Sequence, residues 1–113
     1  MTKAVKEKKP FFLYLSLTSP HTPISPSKPF QGKSGVTAYG DFLIETDWVV
    51  GQIMKALDEA SAADDTLLIF TTDNGTAAAC NFGQLKKKGV DLRHTLKGNK
   101  GKIDEGGHRV PFV

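Results

Sequence analysis

The chain has 113 residues, 39% of them hydrophobic, and a formal net charge of +3, which fits one small globular domain or a piece of a larger one. A single cysteine, Cys80, excludes an internal disulfide and any multi-cysteine zinc site, and no apolar run reaches the roughly eighteen residues of a membrane span. Lys3, Lys6, Lys8 and Lys9 crowd one part of the chain and Lys86 to Lys88, Arg93, Lys97, Lys100, Lys102 and Arg109 another. Such clusters favour an anionic partner or form a solvated face. They are not interleaved with the aromatics that base stacking needs, so no nucleic-acid partner is expected.

In chain order, the Lys-rich start and the run Phe11 to Leu17 imitate a short signal peptide. Thr18-Ser19-Pro20-His21 follows where a small-x-small cleavage site would stand, so the run reads as a buried strand closed by Ser19-Pro20. The loop from Pro20 to Gly35 contains Pro20, Pro23, Pro26 and Pro29 and is expected to be extended and stiff. A helix is expected from about Ala38 to Ala60, with Tyr39, Leu43, Val50, Ile53 and Leu57 recurring on one face and Asp41, Asp58 and Glu59 off it. Gly51 costs that helix roughly 1 kcal/mol relative to alanine without ending it. Leu67 to Thr72 reads as a second strand, buried on both faces. From Thr76 to Gly101 the chain is polar, Lys- and Gly-rich and without period, a long loop of the kind that often carries function. Arg109 to Val113 reads as the beginning of a further strand.

Strand, loop, helix, strand normally makes a right-handed crossover with parallel strands. His21, just past the first strand, and Asp73 and Asn74, at the end of the second, are then expected along one sheet edge, where open α/β sheets collect ligands. Asp73 offers a carboxylate and Asn74 an amide oxygen, hard donors suited to Ca²⁺ or Mg²⁺. Asp73-Asn74-Gly75 is equally a hairpin-turn signal, although Thr76 to Cys80 does not alternate like a returning strand.

His21 stands between prolines that restrict its backbone, and an imidazole there either donates to an anionic oxygen or is a plain surface residue. Lys100, in Gly98-Asn99-Lys100-Gly101, belongs to a loop that a bound anion can approach closely, or to a mobile basic loop. Gly32-Lys33-Ser34 is not a phosphate loop, because Ser27 occupies the position of the first glycine and no strand precedes it. Cys80 reads as a small buried or inert thiol. His94 reads as a surface residue, and neither His94 nor His108 has the spacing to form a zinc triad with His21. Glu105 and Arg109 are spaced for a structural ion pair.

Taken in order, Pro10 to Leu15, Pro20-His21-Thr22-Pro23, Tyr39-Gly40-Asp41, Asp47 with Val50 to Ile53, Thr72-Asp73-Asn74-Gly75, and Gly98 to Gly101 leading to Glu105-Gly106-Gly107-His108-Arg109-Val110-Pro111-Phe112 resemble the type I sulfatases. These form the arylsulfatase branch of the alkaline phosphatase superfamily. The resemblance implies an α/β chain, a segment of a three-layer αβα fold with largely parallel strands. It also implies that residues 1–113 form part of a sulfatase catalytic domain, lacking the nucleophile-bearing N-terminal part and a C-terminal part. The implied reaction is hydrolysis of a sulfate monoester, on a sulfated small molecule or glycan, by a parent protein that is periplasmic, secreted or lysosome-like.

By the same resemblance Asp73 and Asn74 match metal ligands for Ca²⁺, His21 matches the histidine at the leaving-group side of the sulfate, and Lys100 matches the lysine that grips a sulfate oxygen. The formylglycine nucleophile of the family arises from a Cys-x-Pro-Ser-Arg motif or its serine equivalent, and that motif is absent. Cys80 stands instead in Ala79-Cys80-Asn81-Phe82, after the metal pair. The isolated chain is therefore expected to be inactive. A phosphodiesterase or phosphonate hydrolase of the same superfamily and a non-catalytic anion-binding module remain the alternatives.

Overall fold

The structure is a computed structural model that describes residues 1–92 and 96–113. His94, read above as a surface residue, lies outside the described residues. The organising element is the long helix α2 (Ala38–Glu59), preceded by α1 (Thr2–Lys6) and followed by the short helices α3 (Phe82–Lys87) and α4 (Glu105–His108). Single 3-10 turns stand at Lys28–Phe30, Ala63–Asp65 and Ala78–Cys80. None of the described helices is long and apolar enough to cross a membrane.

Both ends of α2 follow from local chemistry. Thr37, in extended conformation, caps the start by accepting the Gly40 amide on its side chain at 3.3 Å, satisfying a donor that has no partner inside the helix. At the other end Ser61 takes a left-handed φ of 53°. Its amide bonds the Asp58 carbonyl at 2.9 Å and the Ala62 amide reaches the Leu57 carbonyl at 3.0 Å. This doubly bonded C-terminal cap sets Ala62 beside Leu57, and both are buried. The end of α3 repeats the arrangement, with Val90 to Leu85 and Gly89 to Lys86, and a glycine occupies its left-handed position.

The proline loop is fastened to the first half of α2 by side chains. Asp41 accepts the Gly32 amide on one carboxylate oxygen at 2.7 Å and the Ser34 amide on the other at 2.8 Å. Glu45 accepts the Ser27 hydroxyl at 2.7 Å and the Ser27 amide at 2.9 Å. Thr46 Oγ1 lies 2.9 Å from Ser19 Oγ and 2.8 Å from the Phe42 carbonyl oxygen, hydrogen-bonding with both. Phe30 adds an edge-on contact with Trp48, ring centroids 5.6 Å apart. Periodicity places Asp41 off the buried face; the structure corrects this, since only 6% of it is exposed. A carboxylate with both oxygens on backbone amides is satisfied where a bare one would not be.

The predicted strands are not formed. Among the described residues there is one isolated antiparallel bridge, Thr71 with Phe112, supported by Phe70 and Val113 exchanging amide bonds at 2.8 and 3.0 Å. Phe11 to Leu17 has no strand partner among the described residues, and Phe12 is 93% exposed. A strand buried on both faces needs neighbours at both edges and layers above and below. Within this chain the only strand partner that the described residues offer is Phe112 and Val113. The buried apolar residues are Leu57, Ala62, Cys80 and Leu85, while Leu67 and Ile103 stand 85% and 94% exposed. The Cα radius of gyration is 16.7 Å, above the roughly 13 Å expected for a compact domain of this length.

The Ser34 side chain, then the Ser34 and Gly32 amides, lower the Asp41 pKa below the ordinary carboxylate value and outweigh burial, which raises it. The folded pKa is thus depressed, so the contribution is complete above the unfolded value, about pH 4, and is lost as pH falls through the folded value. Thermal melts of the chain and of Asp41→Asn should show the variant melting lower at pH 6 and the gap closing below about pH 4. A gap independent of pH would contradict this. Replacing Ser61 with glycine removes the left-handed strain, and its urea midpoint should rise by the equivalent of up to about 1 kcal/mol. An unchanged or lower midpoint would mean that the cap is not strained.

Candidate functional site

The site grows from a backbone crossing behind Asp73-Asn74-Gly75. The Gly75 amide donates to the Gly107 carbonyl at 3.0 Å, and a Cβ on Gly75 would collide with the Gly106 carbonyl oxygen. The Gly106 amide donates in turn to the Lys97 carbonyl at 2.7 Å, and a Cβ there would lie 2.6 Å from the Gly98 oxygen. Only hydrogen side chains let three backbone segments approach this closely. Immediately beyond, the Lys100 amide donates to the Thr76 carbonyl at 3.0 Å. The turn carrying Asp73 and Asn74 and the loop carrying Lys100 are thereby locked together.

Asn74 donates its side-chain Nδ2 to the Gly75 carbonyl at 3.0 Å, which leaves Oδ1 as the acceptor facing outward from that bond. The Asn74 carbonyl accepts the Thr72 hydroxyl at 3.2 Å. Asp73 is exposed. Among the described residues no group of three or more His, Cys, Asp or Glu side chains is placed to hold a metal ion. Asp73 and Asn74 are two hard oxygen donors, the chemistry that Ca²⁺ takes, and a complete shell of six to eight oxygens needs further donors.

His21 is exposed, and its hydrogen bonds are local: its amide to the Thr18 carbonyl at 3.0 Å and its Nδ1 to the Thr22 carbonyl at 2.8 Å. A carbonyl only accepts, so Nδ1 carries the proton and Nε2 points its capacity elsewhere. The bonds that unite the Asp73 turn with the Lys100 loop do not include His21. The sheet edge expected to align it with Asp73 is not formed among the described residues.

Around this centre, Lys97 pairs with Asp104 at 3.3 Å and Glu105 with Arg109 at 3.7 Å, the latter as its spacing predicts. Lys97, Glu105 and Arg109 are largely exposed, and the two pairs contribute little stability. His108 bonds the Ile103 carbonyl through Nε2 at 2.8 Å. Cys80 is 3% exposed, as expected of a buried thiol. The region 76–101, read above as an unstructured loop, contains α3, started by Asn81 accepting the Gln84 amide on Oδ1 at 3.1 Å. Asn81 before an apolar residue, with lysines and then a glycine behind, is a cap pattern that could have revealed this helix.

Two further contributors carry weaker signals in the sequence. Gly106-Gly107 reads as a simple turn, and nothing local tells that another backbone presses on it. Burial raises the Tyr39 phenol pKa above the ordinary value, the nearby Thr76 side chain offsets part of that, and the Cys80 sulfur adds to it. Tyr39, at the start of α2, thus lies near Thr76, just beyond the Asp73 turn.

Comparison with known proteins agrees over nearly the whole chain. A family model described as Sulfatase matches residues 1–113. The N-acetylgalactosamine-6-O-sulfatase of Bacteroides thetaiotaomicron is 36% identical over 110 residues, covering 95% of this chain and 22% of that protein. The steryl-sulfatase of Homo sapiens is 43% identical over 107 residues, covering 92% of this chain and 18% of that protein. The crystal structure of Ps i-CgsB in complex with k-i-k-neocarrahexaose matches 97% of this chain and 24% of that chain, with a TM-score of 0.78 and 34% identity. The chain thus shares the fold of that protein over the matched part, and spans 22% and 18% of the length of the two curated relatives.

Gly75→Ala should be among the most disruptive single substitutions, costing about 3 kcal/mol, because its Cβ meets backbone with no freedom to move. Hydrogen exchange should show the Lys100 and Gly106 amides losing protection in the variant. Retained protection at both would refute the crossing as the lock.

Proposed function

The chain belongs to the sulfatase family, and from that premise we propose that it carries the charge-stabilising half of a site that hydrolyses sulfate monoesters. The observation that carries the reading is the crossing at Gly75 and Gly107, which fixes two oxygen donors and a lysine-bearing loop to one another. Lys100 brings a compact positive charge suited to a sulfate oxygen. Asp73 and Asn74 Oδ1 would hold a calcium ion, which when bound neutralises charge on the ester oxygens. With Nδ1 committed to Thr22, His21 Nε2 is the atom that donates to the leaving oxygen when the ring is protonated.

The formylglycine does not fit these residues. Cys80 lies in Ala79-Cys80-Asn81-Phe82 and is buried, and no Cys-x-Pro-Ser-Arg occurs in the sequence. The substrate is a sulfated small molecule or glycan; the relatives named above are described by both a sugar and a sterol, so their names do not choose between them. In this reading residues 1–113 are part of a three-layer αβα catalytic domain. Residues 11–17 and 67–72 pair as parallel strands when the rest of such a domain covers their exposed apolar side chains.

Two measurements test the proposal. The 113-residue chain should show no turnover of an aryl sulfate above background, since it offers no nucleophile; measurable turnover would overturn it. Calcium titration followed at the Asn74 amide should give weak binding, with Kd about 1 mM, abolished in Asp73→Ala. Binding of a sulfated glycan without calcium, unchanged in Asp73→Ala, would favour a non-catalytic anion-binding module instead.

A further inference from the structure

Asn74 is the one asparagine of the chain that a glycine follows; Asn81 precedes Phe82 and Asn99 precedes Lys100. An asparagine before glycine is the least durable amide side chain in chemical terms, because the next residue has no side chain to keep its backbone nitrogen away from the asparagine Cγ. In that reaction the Gly75 nitrogen loses its proton and bonds to Asn74 Cγ, the Cγ–Nδ2 bond breaks, and the nitrogen leaves as ammonia. Water then opens the cyclic imide at one carbonyl or the other, which leaves aspartate or isoaspartate at position 74.

The groups that must move in this reaction are held by the crossing. The attacking Gly75 N–H donates to the Gly107 carbonyl at 3.0 Å, and the departing Asn74 Nδ2 donates to the Gly75 carbonyl at 3.0 Å. The Asn74 carbonyl accepts the Thr72 hydroxyl at 3.2 Å, so the peptide between Asn74 and Gly75 is bonded at both its oxygen and its nitrogen. The Gly106 carbonyl fills the space beside Gly75 into which that peptide would swing. We propose that Asn74 is a deamidation site and that the crossing of Gly75 with Gly107 is its lock, released only when the Gly75 amide leaves the Gly107 carbonyl. Once made, the change holds the lock open. Isoaspartate adds a backbone atom before the Gly75 nitrogen and shifts it out of register with Gly107, while aspartate sets a second carboxylate beside Asp73. Either product ends the neutral amide of the turn. The step depends on the backbone around Asn74 and is independent of the sulfate-ester reading.

The test incubates the 113-residue chain without calcium at one mildly alkaline pH, in native buffer and in guanidinium chloride. Peptide mapping follows aspartate and isoaspartate at position 74, and NMR follows exchange of the Gly75 amide. Conversion should be at least about ten-fold slower in the native chain than in the denatured one. Gly106→Ala leaves the Asn-Gly pair intact but sets a Cβ 2.6 Å from the Gly98 carbonyl oxygen, which opens the crossing. It should speed Gly75 exchange and conversion at position 74 by a common factor of about five or more. Thr72→Val removes one hydrogen bond from the same peptide and no backbone contact, and it should speed both by a smaller common factor. Equal conversion in native and denatured chain would overturn the proposal, as would either variant speeding Gly75 exchange while conversion stays unchanged. With calcium left out, the result reports on the lock alone and separately from the calcium reading of the same turn.

Discussion

The Asp73 turn and the Lys100 loop are held together by one close approach, the Gly75 amide on the Gly107 carbonyl with Gly106 against it. One hydrogen bond of this kind contributes about 1 kcal/mol on balance, which is too little to organise three segments alone. Its importance is steric. Because glycine leaves the room that a Cβ would fill, the Asp73 turn, the Lys97 to Gly101 loop and the start of α4 share one small volume. The amides of Gly106 and Lys100 then find carbonyl partners on neighbouring segments instead of water. Charged side chains carried by these segments are positioned by backbone, which has far fewer soft torsions than a lysine or aspartate.

The other half of the arrangement is held by a different device. Apart from the single 3-10 turn at Lys28–Phe30 the proline loop has no regular structure, and its position is set by what α2 reaches out to it. Asp41 and Glu45, one turn apart, each take two donors from the loop. Charge-assisted bonds to both oxygens of a carboxylate are strong and directional, and their pairing on consecutive turns fixes the loop's path as well as its distance. Tyr39 on the same helix lies near Thr76, three residues beyond Asp73. Helix α2 is thus the support of the loop carrying His21.

Much of this was legible from residue types. The periodic apolar positions locate α2. The short helices α1 and α3 were not anticipated, because five or six residues give no measurable period and their definition rests on caps. Asp41 was misplaced for a related reason: a hydrophobicity pattern assigns every carboxylate to water and cannot register amides that arrive from another segment. The glycines of the crossing were visible as glycines, while the backbone that required them was not.

The sequence alone determined helix α2, the residue types of the candidate site and the family to which their order corresponds, because those are properties of local chemistry and spacing. Tertiary structure alone decided which loops meet, that Asp41 is a buried tether, that Gly75, Gly106 and Gly107 form one crossing, and that Phe11 to Leu17 and Leu67 to Ile69 have no strand partner among the described residues. Pairing and burial depend on what else occupies the space around a segment. An apolar run states that it can be covered, and only neighbouring chain can cover it.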